Sequence, residues 1–224
     1  MQRDMQVFDL LEACAQSGCP VCRLSLKAAR RYLDSILYEF VNDPGIRDGI
    51  RQARGYCNEH AWWMAPDTVH QLGIGIIQQD MVETVLNMIE TIPNGRAARH
   101  SAQGLLKRLR PTAKCPVCAH VRTMEDIALS ALLEYMDDPD LAAALENSSG
   151  LCLAHFSRAL ELVREADALK RLVDLQRRTL TALRDELAEF IRKNDYHFRD
   201  EGLGKEGDSG RRAIGIVSGK RGVR

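Results

Sequence analysis

The chain has few aromatic residues and no net charge. Phe, Trp and Tyr make up 5% of its 224 residues, and the only two tryptophans are neighbours, Trp62-Trp63. Lys and Arg number 31, as do Asp and Glu, so no global field draws the chain to nucleic acid or anionic lipid. No apolar run reaches the ~20 residues that a membrane-spanning helix needs. The opening Met-Gln-Arg-Asp-Met lacks the apolar stretch of a signal peptide, and a cytoplasmic location is therefore expected. No segment alternates apolar and polar residues at period two. That excludes a sheet-based fold and predicts an all-α one.

Cysteine is the exception to this sparseness. Cys19-Pro-Val-Cys22 is followed by Gly55-Tyr-Cys57-Asn-Glu-His60, and Cys115-Pro-Val-Cys118 by Gly150-Leu-Cys152-Leu-Ala-His155. The two copies are offset by 96 residues at the C-P-V-C knuckles and by 95 at the C-x-x-H pairs. Between them Glu39-Phe-Val-Asn-Asp-Pro44 is echoed by Glu134-Tyr-Met-Asp-Asp-Pro139. The chain is an internal duplication in which each half carries three thiols and one imidazole. Without an export signal, such thiols read as metal ligands rather than as a disulfide framework. Four S and N ligands suit a tetrahedral ion, and Cys3His is a common structural zinc set.

The nearly gapless duplication predicts that each half keeps its own site. Cys19, Cys22, Cys57 and His60 would hold one zinc ion, and Cys115, Cys118, Cys152 and His155 a second. Repeat one would span 1–93 and repeat two 94–198, with the turn Ile92-Pro-Asn-Gly95 between them. In each repeat a long helix after the knuckle runs to an Asp-Asp-Pro or Asn-Asp-Pro breaker, where Asp43 and its counterpart Asp138 cap a short returning helix. The metal would then close the base of this helical hairpin. Residues 96–110 read as a basic helix and 199–224 as a disordered, Gly-rich, weakly basic tail. Apolar spacing puts Val69, Leu72, Ile76, Met81, Val85, Met88 and Ile89 on the core face of a helix over 68–91. Cys14 is expected as a small buried hydrophobe, the two tryptophans as shielding for the site, and His120 as a surface residue outside the ligand sets.

The motifs C-P-x-C, E-[FY]-x-x-D-P and G-[YFL]-C-x-x-H, each present twice, resemble a bacterial domain-of-unknown-function family. Gly55-Tyr-Cys-Asn-Glu-His-Ala-Trp62 carries the most specific part of the resemblance. The resemblance covers most of residues 1–195 and implies the helical fold and the eight ligands, but no activity.

No catalytic constellation is legible. Glu59 stands beside His60, but Ala154 takes its place in the second copy. The leading reading is a non-catalytic zinc protein with a protein partner, acting as adaptor, regulator or assembly factor. Two alternatives remain open at this point. One is an iron–sulfur cluster in electron transfer or sensing, since thiolates are its usual ligands. The other is thiol–disulfide chemistry, because a C-x-x-C at a helix start has a lowered thiol pKa.

Overall fold

The computed structural model describes residues 5–90 and 98–222. All regular structure among them is helical: α1 Met5–Cys14, α2 Pro20–Tyr38, α3 Pro44–Gln52, α4 Asn58–Met64, α5 Gln71–Glu90, α6 Ala98–Leu109, α7 Pro116–Glu134, α8 Pro139–Asn147, α9 Leu153–Leu162, α10 Ala166–Lys193 and α11 Ser209–Ser218. Two short 3-10 segments, Tyr196–Glu201 and Lys205–Asp208, join α10 to α11. No described helix is long and apolar enough to cross a membrane.

The breakers behave as their chemistry requires. Asp43 and Asp138 are extended N-caps whose carboxylates accept from Ile46 N and from Asp140 N and Leu141 N, and proline follows at the first helical position in both copies. These caps turn two loop sequences into defined helix starts.

The chain forms two compact units, and they are not the two sequence repeats. One contains the residues through Lys27 together with those from Thr123 onward; the other contains Ala28–Arg122. The boundaries fall inside α2 and α7. The turn expected at Ile92–Gly95 lies outside the described residues, as does Arg96 of the expected basic helix.

The first unit is built on α1, the start of α2, the rest of α7, and α8–α11. Its core holds Leu10, Cys14, Val21, Leu129, Leu132, Leu141, Leu145, Leu151 and Leu172, all buried. Cys14 thus sits where its position on the apolar face of α1 placed it, and burial pushes its thiol up to about 11.

The Gly-rich tail is folded rather than disordered. Lys193 Nζ lies 2.8 Å from the buried Glu206 carboxylate, which also accepts from Gly204 N. Arg212 pairs with Glu186 on α10, and Ile216 of α11 is buried. The high glycine content hid a ten-residue amphipathic helix, Ser-Gly-Arg-Arg-Ala-Ile-Gly-Ile-Val-Ser.

The second unit packs the end of α2 with α3–α6 and the start of α7 around Leu33, Ile36, Leu37, Ile50, Met64, Ile77, Met81, Val117 and Val121. Arg47 and Arg51 on α3 both meet Asp80 on α5, at 3.1 and 2.7 Å. The apolar stripe expected over 68–91 holds at Met81 and, half-buried, at Ile76, Val85 and Met88, but not along its whole length. Gly73, Ile77 and Met81 are the buried residues of α5, whereas Val69, Leu72 and Ile89 are exposed. The cause is a close helix approach, because a Cβ on Gly73 would lie 2.4 Å from the Leu37 carbonyl oxygen. Backbone cannot yield as a flexible side chain can. Gly73→Ala should therefore cost about 1–3 kcal/mol by overpacking, measured as a shift in the urea midpoint. The nearby Gly75 meets nothing within 4 Å, and Gly75→Ala serves as the control expected to leave that midpoint unlowered.

Candidate metal centre

All eight predicted ligands come together in fours, but in crossed sets. One quartet is Cys19, Cys22, Cys152 and His155; the other is Cys57, His60, Cys115 and Cys118. Within each, one ligand atom per residue lies within 4.8 Å of the other three. The expected partition, one quartet inside each half, is therefore corrected: each half lends its knuckle to the C-x-x-H of the other.

The unit boundaries run with this grouping. They cut α2 and α7, so Cys19 and Cys22 stay in the unit that holds Cys152 and His155, and Cys115 and Cys118 in the unit that holds Cys57 and His60. After α3 the chain turns through left-handed Arg54 and Gly55.

Local structure aims the ligands inward. Each knuckle opens a helix, with Pro20 and Pro116 as the first residues of α2 and α7. Proline at that position sacrifices no hydrogen bond. Cys57 and Cys152 are the extended N-caps of α4 and α9, and neither side chain makes a capping hydrogen bond. The thiols are thus left to a ligand. Left-handed Gly18, Gly55 and Gly150 make the turns just before these residues.

In the first centre His155 Nδ1 lies 3.4 Å from Cys19 Sγ, 3.4 Å from Cys22 Sγ and 3.2 Å from Cys152 Sγ, with Cys22 and Cys152 sulfurs 3.6 Å apart. In the second, His60 Nδ1 lies 3.2, 3.4 and 3.7 Å from the sulfurs of Cys57, Cys118 and Cys115, and Cys57 and Cys118 sulfurs are 3.6 Å apart. Zn–S bonds of ~2.3 Å and Zn–N bonds of ~2.0–2.1 Å in a tetrahedron require S···S near ~3.8 Å and S···N near ~3.6 Å. Both quartets fit a single four-coordinate ion.

On their own these groups are poorly satisfied. Burial pushes the Cys19 thiol well up, and contact with Cys152 and Cys22 adds to it. Hydrogen bonding with Cys152, with burial, takes Cys22 to about 12. In the other centre, burial and the neighbouring Cys115 take Cys118 to about 12. Cys152 moves the opposite way, held far down by hydrogen bonds from Cys19 and Cys22. Burial opposes a charged His155, but its contacts with Cys152, Cys19 and Glu125 outweigh this and raise it to about 11. The first quartet by itself thus favours a single thiolate and two thiols. A divalent cation is what would let all three ionise together.

Residues 1–223 match one family over nearly the whole chain. The chain belongs to the family of unknown function DUF6062. A DUF6062 chain of this kind is also similar to the "Uncharacterized 23.9 kDa protein in xynA 3'region" of Caldicellulosiruptor sp. (strain Rt8B.4), with 26% identity over 190 residues, covering 84% of this chain and 87% of that protein. No solved structure matches it.

Around its two centres this DUF6062 chain is unequal. His155 Nε2 lies 3.2 Å from Glu125 Oε1, and the same oxygen accepts from Ser25 Oγ at 3.3 Å. All three residues are buried. The positions matching Glu125 and Ser25 in the second unit are Ala29 and Val121, and His60 Nε2 is buried there with no hydrogen-bond partner among the described residues. Burial lowers the His60 pKa and so favours its neutral, ligating form. A carboxylate behind a ligating histidine fixes its tautomer and raises its basicity. Glu125→Ala should therefore weaken metal binding at the first centre by roughly 10–100-fold, read by chelator competition, while the second centre is unchanged.

A pair of matching positions has also exchanged its chemistry. Arg158 makes two 2.7 Å bonds to Asp126 in the first unit. At the matching positions in the second unit, the Arg30 guanidinium lies over the Trp63 ring at 5.9 Å. Trp63 also meets His60 edge-on at 5.2 Å, as expected of a shielding residue, whereas Trp62 is 68% exposed. His120 is half-buried rather than on the surface, stacked on Tyr32 at 4.3 Å and outside both quartets. A further group, Asp34, Asp67 and His70, is partly exposed. Asp67 is already engaged there, accepting from Val69 N, His70 N and His70 Nδ1.

Glu125 was not singled out from the sequence. A signal existed: it is the acidic residue on the buried face of α7, ten residues after Cys115, where the first copy has Ala29.

Proposed function

We propose that the chain is a non-catalytic protein that binds two zinc ions, each closing one helical unit, and that it works by presenting these units to a protein partner as an adaptor, regulator or assembly factor. The observation that carries this reading is the completeness of both quartets. Four protein ligands at tetrahedral spacing leave no coordination position for a reactive water. The close grouping of each quartet also favours one ion over an iron–sulfur cluster, whose several metals hold their ligands further apart. Each ion would join segments remote in sequence, as Cys22 and Cys152 are, 130 residues apart. Exposed apolar side chains support a partner surface: on the second unit Val69, Leu72 and Tyr38 are 83%, 78% and 77% exposed. The reading calls for a reducing compartment such as the cytoplasm, where thiolate ligands persist.

Metal analysis and an absorption spectrum on protein purified without oxygen test it. The expected result is two zinc ions per chain and no visible absorption. Brown colour with iron and labile sulfide would replace this reading with a cluster protein.

A further inference from the structure

We propose that the two centres exchange their ions unequally: the quartet of Cys57, His60, Cys115 and Cys118 gives up and takes back its ion, while that of Cys19, Cys22, Cys152 and His155 retains it. This rests on the zinc reading above and concerns how the same centres are regulated.

The contrast is built into their surroundings. In the first centre all four ligands are buried, with exposures of 6% for Cys19, 0% for Cys22, 1% for Cys152 and 3% for His155. The folded C-terminal segment closes over it. At Gly219, which ends α11 with a φ of +76°, a Cβ would sit 3.5 Å from Cys152 Sγ and 3.7 Å from Cys22 Sγ. Glycine adopts this left-handed backbone without strain, and the backbone of the next residue, Lys220, hydrogen-bonds Cys22. Behind the ring, Glu125 holds His155 through its second nitrogen, and Ser25 Oγ lies 3.3 Å from the same carboxylate oxygen.

Among the described residues the second centre is less enclosed. Cys57, Cys115 and Cys118 are only half-buried, and the second nitrogen of His60 has no acceptor among the described residues. The segment that ends on Gly219 has no equivalent in the first repeat, because the second knuckle begins 96 residues after the first. A competing ligand reaches a metal by attacking it or a departing sulfur. Exposed sulfurs permit that attack, and a histidine without a carboxylate behind it binds the ion less strongly. Release from the second centre would loosen the unit Ala28–Arg122 while the other stays closed. That unit is thereby coupled to the level of free metal.

The test uses the unmodified chain carrying two zinc ions. A metallochromic chelator is added with iodoacetamide, zinc transfer is followed by absorbance, and alkylated cysteines are mapped by peptide mass spectrometry. Two phases of equal amplitude are expected, the faster by at least about tenfold, the lower end of the usual outer-shell effect. Labelling in the fast phase should fall on Cys57, Cys115 and Cys118, and labelling of Cys19, Cys22 and Cys152 should follow only in the slow phase. A single phase with both sets labelled together would overturn the inference, as would early labelling of Cys22 and Cys152. A starting preparation without zinc would instead refute the zinc reading, and this inference with it.

Discussion

If each quartet holds an ion as proposed, stripping both should lower the melting temperature by well over ten degrees. Metal that binds the folded chain alone adds about 4 kcal/mol per site when free ion stands ~1,000-fold above its dissociation constant. For a chain of this size each kcal/mol moves Tm by about 2–4 °C. Each centre should then contribute roughly 8–16 °C. The packing within each unit explains why the effect is large. Cys22 and Cys152 both belong to the first unit's core, so three ionisable sulfurs close to one another lie among buried leucines. Removing the cation leaves them without the charge that balances them. Heating the protein with and without chelator, followed by circular dichroism, measures the difference. Because the ligands must be deprotonated to bind, acid should release the metal and produce the same loss.

Cys152→Ser should loosen the opposite end of the sequence. Its sulfur shares a centre with Cys19 and Cys22, so losing that ion should expose the start of α2 and the α1 segment packed beside it. The tie is reinforced by Gly18 N, which donates to Ser149 Oγ at 2.9 Å. Hydrogen exchange is the direct readout. Protection should fall around residues 7–25 and 150–156, by a factor of ten or more. The segment 44–64 and α5 should keep theirs, because the Cys57 centre is untouched. A loss confined to 116–155 would place Cys152 with Cys115 and Cys118 instead. Cys14→Ser makes a useful control, expected to cost only the ~1–3 kcal/mol of a buried hydroxyl and no metal.

The helices, their caps and the identity of the eight clustered residues were legible because each rests on local chemistry. Asp43-Pro44 is a helix start wherever it occurs, and a C-x-x-H at an N-cap must bring its sulfur and imidazole together. Which pair meets which was not legible, because it depends on distances across the fold. A repeat offset of 95 to 96 residues is equally consistent with parallel or exchanged sites. The fold decides it by dividing α2 and α7 between the units, so that each knuckle stays with the C-x-x-H pair of the other half. Gly73 misled the α5 stripe for a related reason. A glycine that serves close helix contact carries no hydrophobic signal, although it is buried. The tail was misread because composition averages over the few residues, such as Ile216, that anchor it. Glu125 carried a signal, an acid where the first copy has Ala29, but its role behind the imidazole shows only once His155 is placed beside it.

The crossed quartets are tested most directly by counting metal in two double variants with native mass spectrometry. Cys22→Ser with Cys152→Ser strikes one centre twice and should leave one ion per chain. Cys22→Ser with Cys57→Ser strikes both centres and should leave none. One ion retained in the second variant, with none in the first, would mean that each half keeps its own site and would contradict the account.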